Sequence, residues 1–338
     1  MSASRNRSFI KVVPGLIISA FFLWYTFKGI SFSHIRTLRV THPVWWLGVL
    51  GFTFASYTLR CVRWTRMMRS TGASFAVCAR VLMTSLAANN ILPFRIGDIM
   101  RVFTYAPDLG ASPSVILSTV ILEKLLDIFV LVLLFVAFMG PGVSHHSRIV
   151  AESLLAISTV GLLIMLLGAR TLEPFLCRLF AGIPENPRLT PKLQRIEHWI
   201  LLALDCIRQI GILGSLFLLL QSALIWTCEG MIFVSAARLI GLAVDRIGPW
   251  QAVSVANLSY LIPSSPGAIG TFEWAVKTSL VSHGAPESQS ALFGLALHAW
   301  LLVSVTGAGG LIFLIHRIRI HNRTPLLKEI ETLPVELP

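Results

Sequence analysis

Charge is scarce in this chain. Only 13% of its 338 residues are Asp, Glu, Lys or Arg, about half the roughly 25% of an ordinary soluble domain. So few polar groups cannot cover a water-facing surface. That excludes a soluble enzyme, a nucleic-acid-binding domain and a disordered tail as readings of the whole chain. Acids are scarcer than bases, 16 against 28, which leaves a formal net charge of +12. The five cysteines (Cys61, Cys78, Cys177, Cys206, Cys228) form no C-x-x-C pair and have no His at metal spacing. Neither a disulfide framework nor a metal site is expected. Walker A, G-x-S-x-G and H-E-x-x-H motifs are all missing. The sequence therefore predicts no catalytic residue and no cofactor, and it excludes a nucleotide-driven pump within this chain.

What the chain has is apolar length: 55% hydrophobic residues and a mean hydropathy of +0.75. Runs long enough to span a bilayer, about 20 residues, occur at 12–30, 43–60, 114–139, 149–168, 212–237 and 288–315. The first begins after Arg5, Arg7 and Lys11 and ends in aromatics rather than a cleavage site, so it reads as a retained span. Two further stretches, 75–106 and 250–283, are broken by Pro, Gly and charge near their middles and are too polar there to face lipid.

The basic residues assign the sides. Arg60, Arg63, Arg66 and Arg69 follow the second run and read as a topological anchor on anionic lipid. Arg170, Arg178, Arg188, Lys192 and Arg195 follow the fourth run, and Arg317, Arg319, Arg323 and Lys328 follow the last. The positive-inside rule puts both termini in the cytoplasm, provided that each broken stretch enters and returns on one face. The first would enter from the cytoplasm and the second from the opposite face; non-helical backbone at that depth is tolerated where protein or a wet cavity surrounds it. The predicted fold is an all-α polytopic membrane protein, one integral domain over 1–338, with about six transmembrane helices and two opposed re-entrant hairpins. Residues 169–211 read as a cytoplasmic amphipathic linker.

The two broken stretches resemble each other. Ala88-Asn89-Asn90-Ile91-Leu92-Pro93-Phe94-Arg95-Ile96-Gly97-Asp98 and Ala256-Asn257 through Pro263, Pro266, Gly267, Gly270, Thr271 and Glu273 share an Ala-Asn, an apolar approach, a Pro break, a Gly and an acid. Broken segments at matching places in two halves point to a transporter's binding site, and the opposed entry sides suit an inverted repeat of halves 43–168 and 212–315. A half-helix beginning at mid-depth would aim free N–H groups and its positive end at an anionic headgroup.

Charges within the apolar background are the candidate site. Asp98 and Arg101 are three residues apart and can pair, leaving Arg95 freer for a phosphate or carboxylate. Arg95, Arg101, Gly267, Gly270, Thr271 and Glu273 are the candidate substrate-binding residues. Glu123 and Asp127 share a helix face beside Lys124 and could balance Arg95 or Arg101, or couple protons. Thr271 reads as a helix N-cap, with Glu273 in the first turn and Lys277 at i+4 from it. Glu229 stands without a charged neighbour in sequence and needs a proton or a partner from another helix. Asp98, Glu123, Asp127, Glu229 and Lys277 are the candidates for charge balance or coupling. His298 reads as a satisfied core residue.

At these motifs the sequence resembles a flippase-like membrane family that includes the transmembrane region of lysylphosphatidylglycerol synthases. The matching residues are Leu92-Pro93-Phe94-Arg95-Ile96-Gly97-Asp98-Ile99-Met100-Arg101, Glu123-Lys124-Leu125-Leu126-Asp127, and Ile262-Pro263-Ser264-Ser265-Pro266-Gly267-Ala268-Ile269-Gly270-Thr271-Phe272-Glu273. Asp98 stands where that family's pattern has Glu, and Ala268 where it has Gly. The resemblance implies a lipid or lipid-linked anionic substrate moved between leaflets of a bacterial inner membrane, with anionic or polyprenyl-linked lipids as partners and no nucleic acid. It does not carry aminoacyl transfer, which belongs to a separate soluble domain. A homodimer or a lipid-modifying enzyme partner is compatible with it. So is a second reading, in which the chain binds lipid without moving it and assists a glycosyltransferase or similar enzyme. In a third, membrane-embedded acids converge as an enzyme.

Overall fold

The computed structural model describes residues 2–30, 39–139, 145–167, 178, 190–262 and 264–331. Among these residues the regular structure is all helical. Ser2–Phe27 forms α1 and Trp45–Met67 forms α2. Phe75–Ile91 is α3, Ile96–Phe103 is α4 and Ala106–Leu109 is the single turn α5. Pro113–Ala137 is α6 and His145–Leu167 is α7. Thr190–Leu239 is α8, broken at Gly211; Gly248–Leu258 is α9, Thr271–Ser282 is α10 and Glu287–Glu331 is α11. Most of the expected linker, and Pro263 of the second break, lie outside the described residues. Its described end, 190–211, is helical and runs through Gly211 into the expected fifth span.

Leu213–Leu239 and Glu287–Arg319 are long and apolar enough to cross a membrane. Pro14–Phe27 and α3 are apolar but shorter, while α6 carries Glu123, Lys124 and Asp127 near its middle. Large apolar side chains stand outward, among them Leu47 at 73%, Phe54 at 76% and Leu213 at 84% exposure. That much bare apolar surface suits acyl chains rather than water.

Both broken stretches fold back on themselves. α3 starts where Ser74 accepts a hydrogen bond from the Val77 amide and stops at Leu92, which the following Pro93 holds extended at ψ 142°. α4 then packs back along α3, and the Asp108 carboxylate lies 3.0 Å from the Arg80 guanidinium on the first half of α3. The return is tight. A Cβ on Gly97 would sit 2.0 Å from the Ser85 carbonyl oxygen, so only glycine fits. Gly97→Ala is expected to cost about 1–3 kcal/mol by overpacking and to lower the unfolding midpoint in detergent. Gly307→Ala, with open space around its Cβ, should not.

In the second stretch α9 and α10 pack side by side and their outer ends meet. The Asp245 amide donates to the His283 carbonyl, 3.4 Å, and Asp245 Oδ2 lies 2.8 Å from His283 Nδ1. Slight burial raises the Asp245 carboxyl. The His283 bond and the Gly248 and Ile247 amides outweigh it and hold the group below the usual carboxylate range. A carboxyl lowered by folding stabilises the fold above its unfolded pKa, near 4, and loses that contribution as pH falls through its folded value. Wild type should therefore lose its thermal advantage over Asp245→Asn as pH drops below about 4.

The packing has an internal order. Exchanging α2 with α8, α3 with α9, α4 with α10 and α6 with α11 converts most helix contacts into contacts, the packing of α6 on α8 being the exception. α2 on α8 maps onto itself, α3 on α11 becomes α9 on α6, and α4 on α6 becomes α10 on α11. One apolar core gathers α2, α3 and α6 around Trp64, Leu82 and Leu122. The other gathers α8, α9, α10 and α11 around Phe233, Val253, Phe272 and Leu297.

Candidate functional site

The hairpin tips meet between the two cores. A Cβ on Gly267 would come 3.5 Å from the Asn90 carbonyl oxygen and 3.0 Å from the Leu302 side chain. The tips are also built alike. Each has a proline followed by two residues in the left-handed region: Phe94 and Arg95 (φ 57° and 53°), and Gly267 and Ala268 (φ 68° and 57°). Pro93-Phe94-Arg95-Ile96-Gly97 thereby matches Pro266-Gly267-Ala268-Ile269-Gly270. This register is closer than the one suggested by the shared Ala-Asn. Left-handed backbone at a non-glycine residue costs roughly 1–2 kcal/mol, and such strain is kept mainly at functional sites.

Beside the tips lies a cavity of about 640 Å³. Asn89, Asn90, Pro93, Phe94 and Arg95 line it from the first tip, and Ser264, Ser265, Pro266, Gly267 and Ala268 from the second. Tyr57 and Arg60 of α2, Lys124 and Asp127 of α6, Trp226 and Glu229 of α8, and Tyr260 complete its polar wall. Leu301, Leu302 and Val305 of α11 give it an apolar side.

The charges in and behind its wall fall into two self-balanced clusters. In the first, Arg63 makes a two-pronged contact with Asp127, at 2.6 and 3.2 Å, and also donates to Ser222, 2.7 Å. The Trp226 indole N–H donates to the same carboxylate, 3.1 Å. Arg60 donates to Glu229, 3.1 Å, lies 3.8 Å from Asp127 and rests over the Trp226 ring. Ser56 also donates to Glu229, 2.7 Å. In the second cluster Arg101, fully buried, donates to Glu123 at 3.0 Å and to Asp98 at 3.4 Å. Lys124 stands 3.7–3.8 Å from those two acids, and Asn89 donates to Asp98, 3.1 Å. Each cluster holds two cations and two anions. A buried guanidinium is retained only where acceptors surround it.

Arg95 belongs to neither cluster. It is exposed at the tip, lines the cavity, and no hydrogen bond or ion pair holds its guanidinium among the described residues. Among the described residues the cavity wall is therefore left with one uncompensated positive charge.

The remaining candidates are placed elsewhere. Arg101, Gly270, Thr271 and Glu273 are buried and do not line the cavity, whereas Gly267 does. Gly270, not Thr271, occupies the cap position of α10. Glu273 Oε2 accepts the Gly270 amide, 2.6 Å, and its Oε1 meets His298 Nδ1 at 2.8 Å. Lys277 does not reach back to Glu273. It donates to the Thr26 carbonyl, 2.8 Å, and pairs with Glu287, 2.7 Å. Nor are the half-helix N-termini left open to the cavity. Glu273 fills that of α10, and α1 covers it so closely that a Cβ on Gly270 would lie 2.5 Å from the Ser19 carbonyl. The Asn89 side-chain oxygen accepts the Asp98 amide at the start of α4, 3.2 Å. A buried amide needs an acceptor, and here the chain supplies it.

Two arginines carry more than sequence reasoning gave them. Arg60 and Arg63 are not surface anchors: α2 continues to Met67 and turns both guanidiniums into the bundle. Their spacing of three and the acids on α6 were the available signal. Glu229's partner is Arg60, and Asp127 balances Arg60 and Arg63 rather than Arg95 or Arg101.

A family model described as the lysylphosphatidylglycerol synthase TM region matches residues 12–330. No curated protein and no solved structure matches the chain.

Proposed function

The chain belongs to the lysylphosphatidylglycerol synthase transmembrane-region family, and from that premise we propose that it moves an anionic lipid headgroup between the leaflets of a bacterial inner membrane through the cavity at the hairpin tips. The observation that carries this reading is the unpaired Arg95 beside two neutralised clusters. A guanidinium held on a strained tip, facing a cavity without a protein acceptor, suits a phosphate oxygen. In this reading the acyl chains stay outside against α11 and neighbouring helices while the headgroup crosses the polar wall.

The topology proposed with it has both termini cytoplasmic and two opposed re-entrant hairpins, α3–α4 and α9–α10. Support comes from the fold-back of each hairpin, from the exchange of contacts between halves, and from the placement of basic residues. Irregular backbone at the tips is tolerable at depth because protein and a polar cavity surround it.

The test is transbilayer exchange in vesicles. Purified full chain in proteoliposomes should accelerate the loss of protection of an inner-leaflet fluorescent anionic lipid from a membrane-impermeant quencher, compared with protein-free vesicles. Normal exchange rates across a panel of anionic and polyprenyl lipids would reject transport. Retention of lipid without exchange would fit the non-transporting partner instead.

A further inference from the structure

Two hydroxyls in the cavity are without a partner among the described residues. Tyr57 and Tyr260 both line it and both are half-buried. Among the described residues neither hydroxyl makes a hydrogen bond, and neither oxygen is among the sealed-off orphan atoms. They are open to the cavity. Tyrosine hydroxyls at such depth normally find a partner, so a pair left facing a polar cavity is aimed at a ligand. Their rings are fixed: Tyr260 packs edge-on against Phe272, and Tyr57 packs on the core around Trp64. Tyr260 lies within electrostatic range of Glu273, Arg95 and Glu229, and Tyr57 within range of Glu229, Arg60 and Tyr260.

We infer that Tyr57 and Tyr260 are specificity-determining residues that join Arg95 in a three-donor site for one singly charged phosphodiester. This deepens the proposed lipid-handling function and rests on it. Charge sets the selectivity. Arg60, Arg63, Asp127 and Glu229 cancel, as do Arg101, Lys124, Asp98 and Glu123, so the site offers one net positive charge. A phosphodiester carries one negative charge and presents two free oxygens, which a guanidinium and two phenol hydroxyls can satisfy. A pyrophosphate brings at least one more negative charge. It would enter beside the fixed carboxylates of Asp127 and Glu229 with nothing to balance the excess. The tyrosines add hydrogen bonds without adding charge, and so favour the diester.

The experiment is a ligand-induced thermal shift of the full chain in mixed micelles. The probes are phosphatidylglycerol, a polyprenyl pyrophosphate, and water-soluble glycerophosphoglycerol. Phosphatidylglycerol should stabilise wild type at concentrations about tenfold or more below those needed for the pyrophosphate. The double variant Tyr57→Phe/Tyr260→Phe should keep the ligand-free midpoint and lose phosphatidylglycerol affinity about tenfold or more, the loss of two hydrogen bonds. Its response to the pyrophosphate should not change. Equal phosphatidylglycerol affinity in wild type and double variant, or tighter binding of the pyrophosphate, would overturn the inference while leaving lipid handling intact. No shift with either lipid would overturn both. A shift with glycerophosphoglycerol as large as with phosphatidylglycerol would overturn the lipid source.

Discussion

Arg101→Leu is expected to lower stability by about 3–5 kcal/mol, because it strips a buried acid of its main counter-charge. Arg101 is fully buried, holds Glu123 at 3.0 Å and Asp98 at 3.4 Å, and lies against the Trp64 ring. Leucine fills part of the volume but leaves Glu123 with Lys124, 3.7 Å away, and the more distant Arg63. The cost is that of an unpaired charge rather than of a lost contact. Adding Glu123→Gln should therefore recover a substantial part of it, giving a favourable coupling in a double-mutant cycle. Thermal unfolding in detergent with the two single variants and the double variant is the measurement. An Arg101→Leu protein as stable as wild type would show that the cluster is dispensable to the fold.

Arg95→Glu should behave in the opposite way. Among the described residues no hydrogen bond or ion pair holds this guanidinium, and it is exposed, so its replacement costs the fold little. The cavity's excess charge, however, changes from one positive to one negative, and an anionic headgroup then meets repulsion where it met attraction. Transbilayer exchange of an anionic lipid is expected to fall by at least about 100-fold, the range for losing a charged contact in a desolvated site. The unfolding midpoint should stay within a few degrees of wild type. Arg95→Lys should keep part of the activity, since it preserves charge but loses the planar fork. Exchange unchanged in Arg95→Glu would mean that the headgroup never meets this residue.

The contrast between these arginines was only half legible in the sequence. Arg95 and Arg101 sit in one motif and look equivalent, and the pairing of Asp98 with Arg101 at a spacing of three hinted that Arg95 would be the freer. Glu123 was a candidate balance for either arginine, and only the fold shows that it takes Arg101, 22 residues before it. The all-helical fold and the two breaks followed from apolar length and proline placement, because those signals are local. The fate of Arg60 and Arg63 did not, since a basic series after an apolar run has the same look whether it faces phospholipid headgroups or acids on a neighbouring helix. Glu273 and Thr271 show a related gap. An acid two residues beyond a threonine suggests a cap open to ligand, yet the approach of α1 and the His298 contact close it, and both come from distant sequence. The likeness of the two breaks was visible, but the closer register, proline followed by two left-handed residues, needed backbone angles to be seen.

The central claim is that the cavity at the hairpin tips holds an anionic headgroup. It is tested most directly by a photoreactive anionic phospholipid carrying its diazirine beside the phosphate, crosslinked to the full chain in vesicles and mapped by peptide mass spectrometry. Adducts should concentrate on 89–95 and 257–267 and on Tyr57, and should be lost in Arg95→Glu. Adducts confined to the outward faces of α1, α8 and α11, and unaffected by Arg95→Glu, would contradict the account.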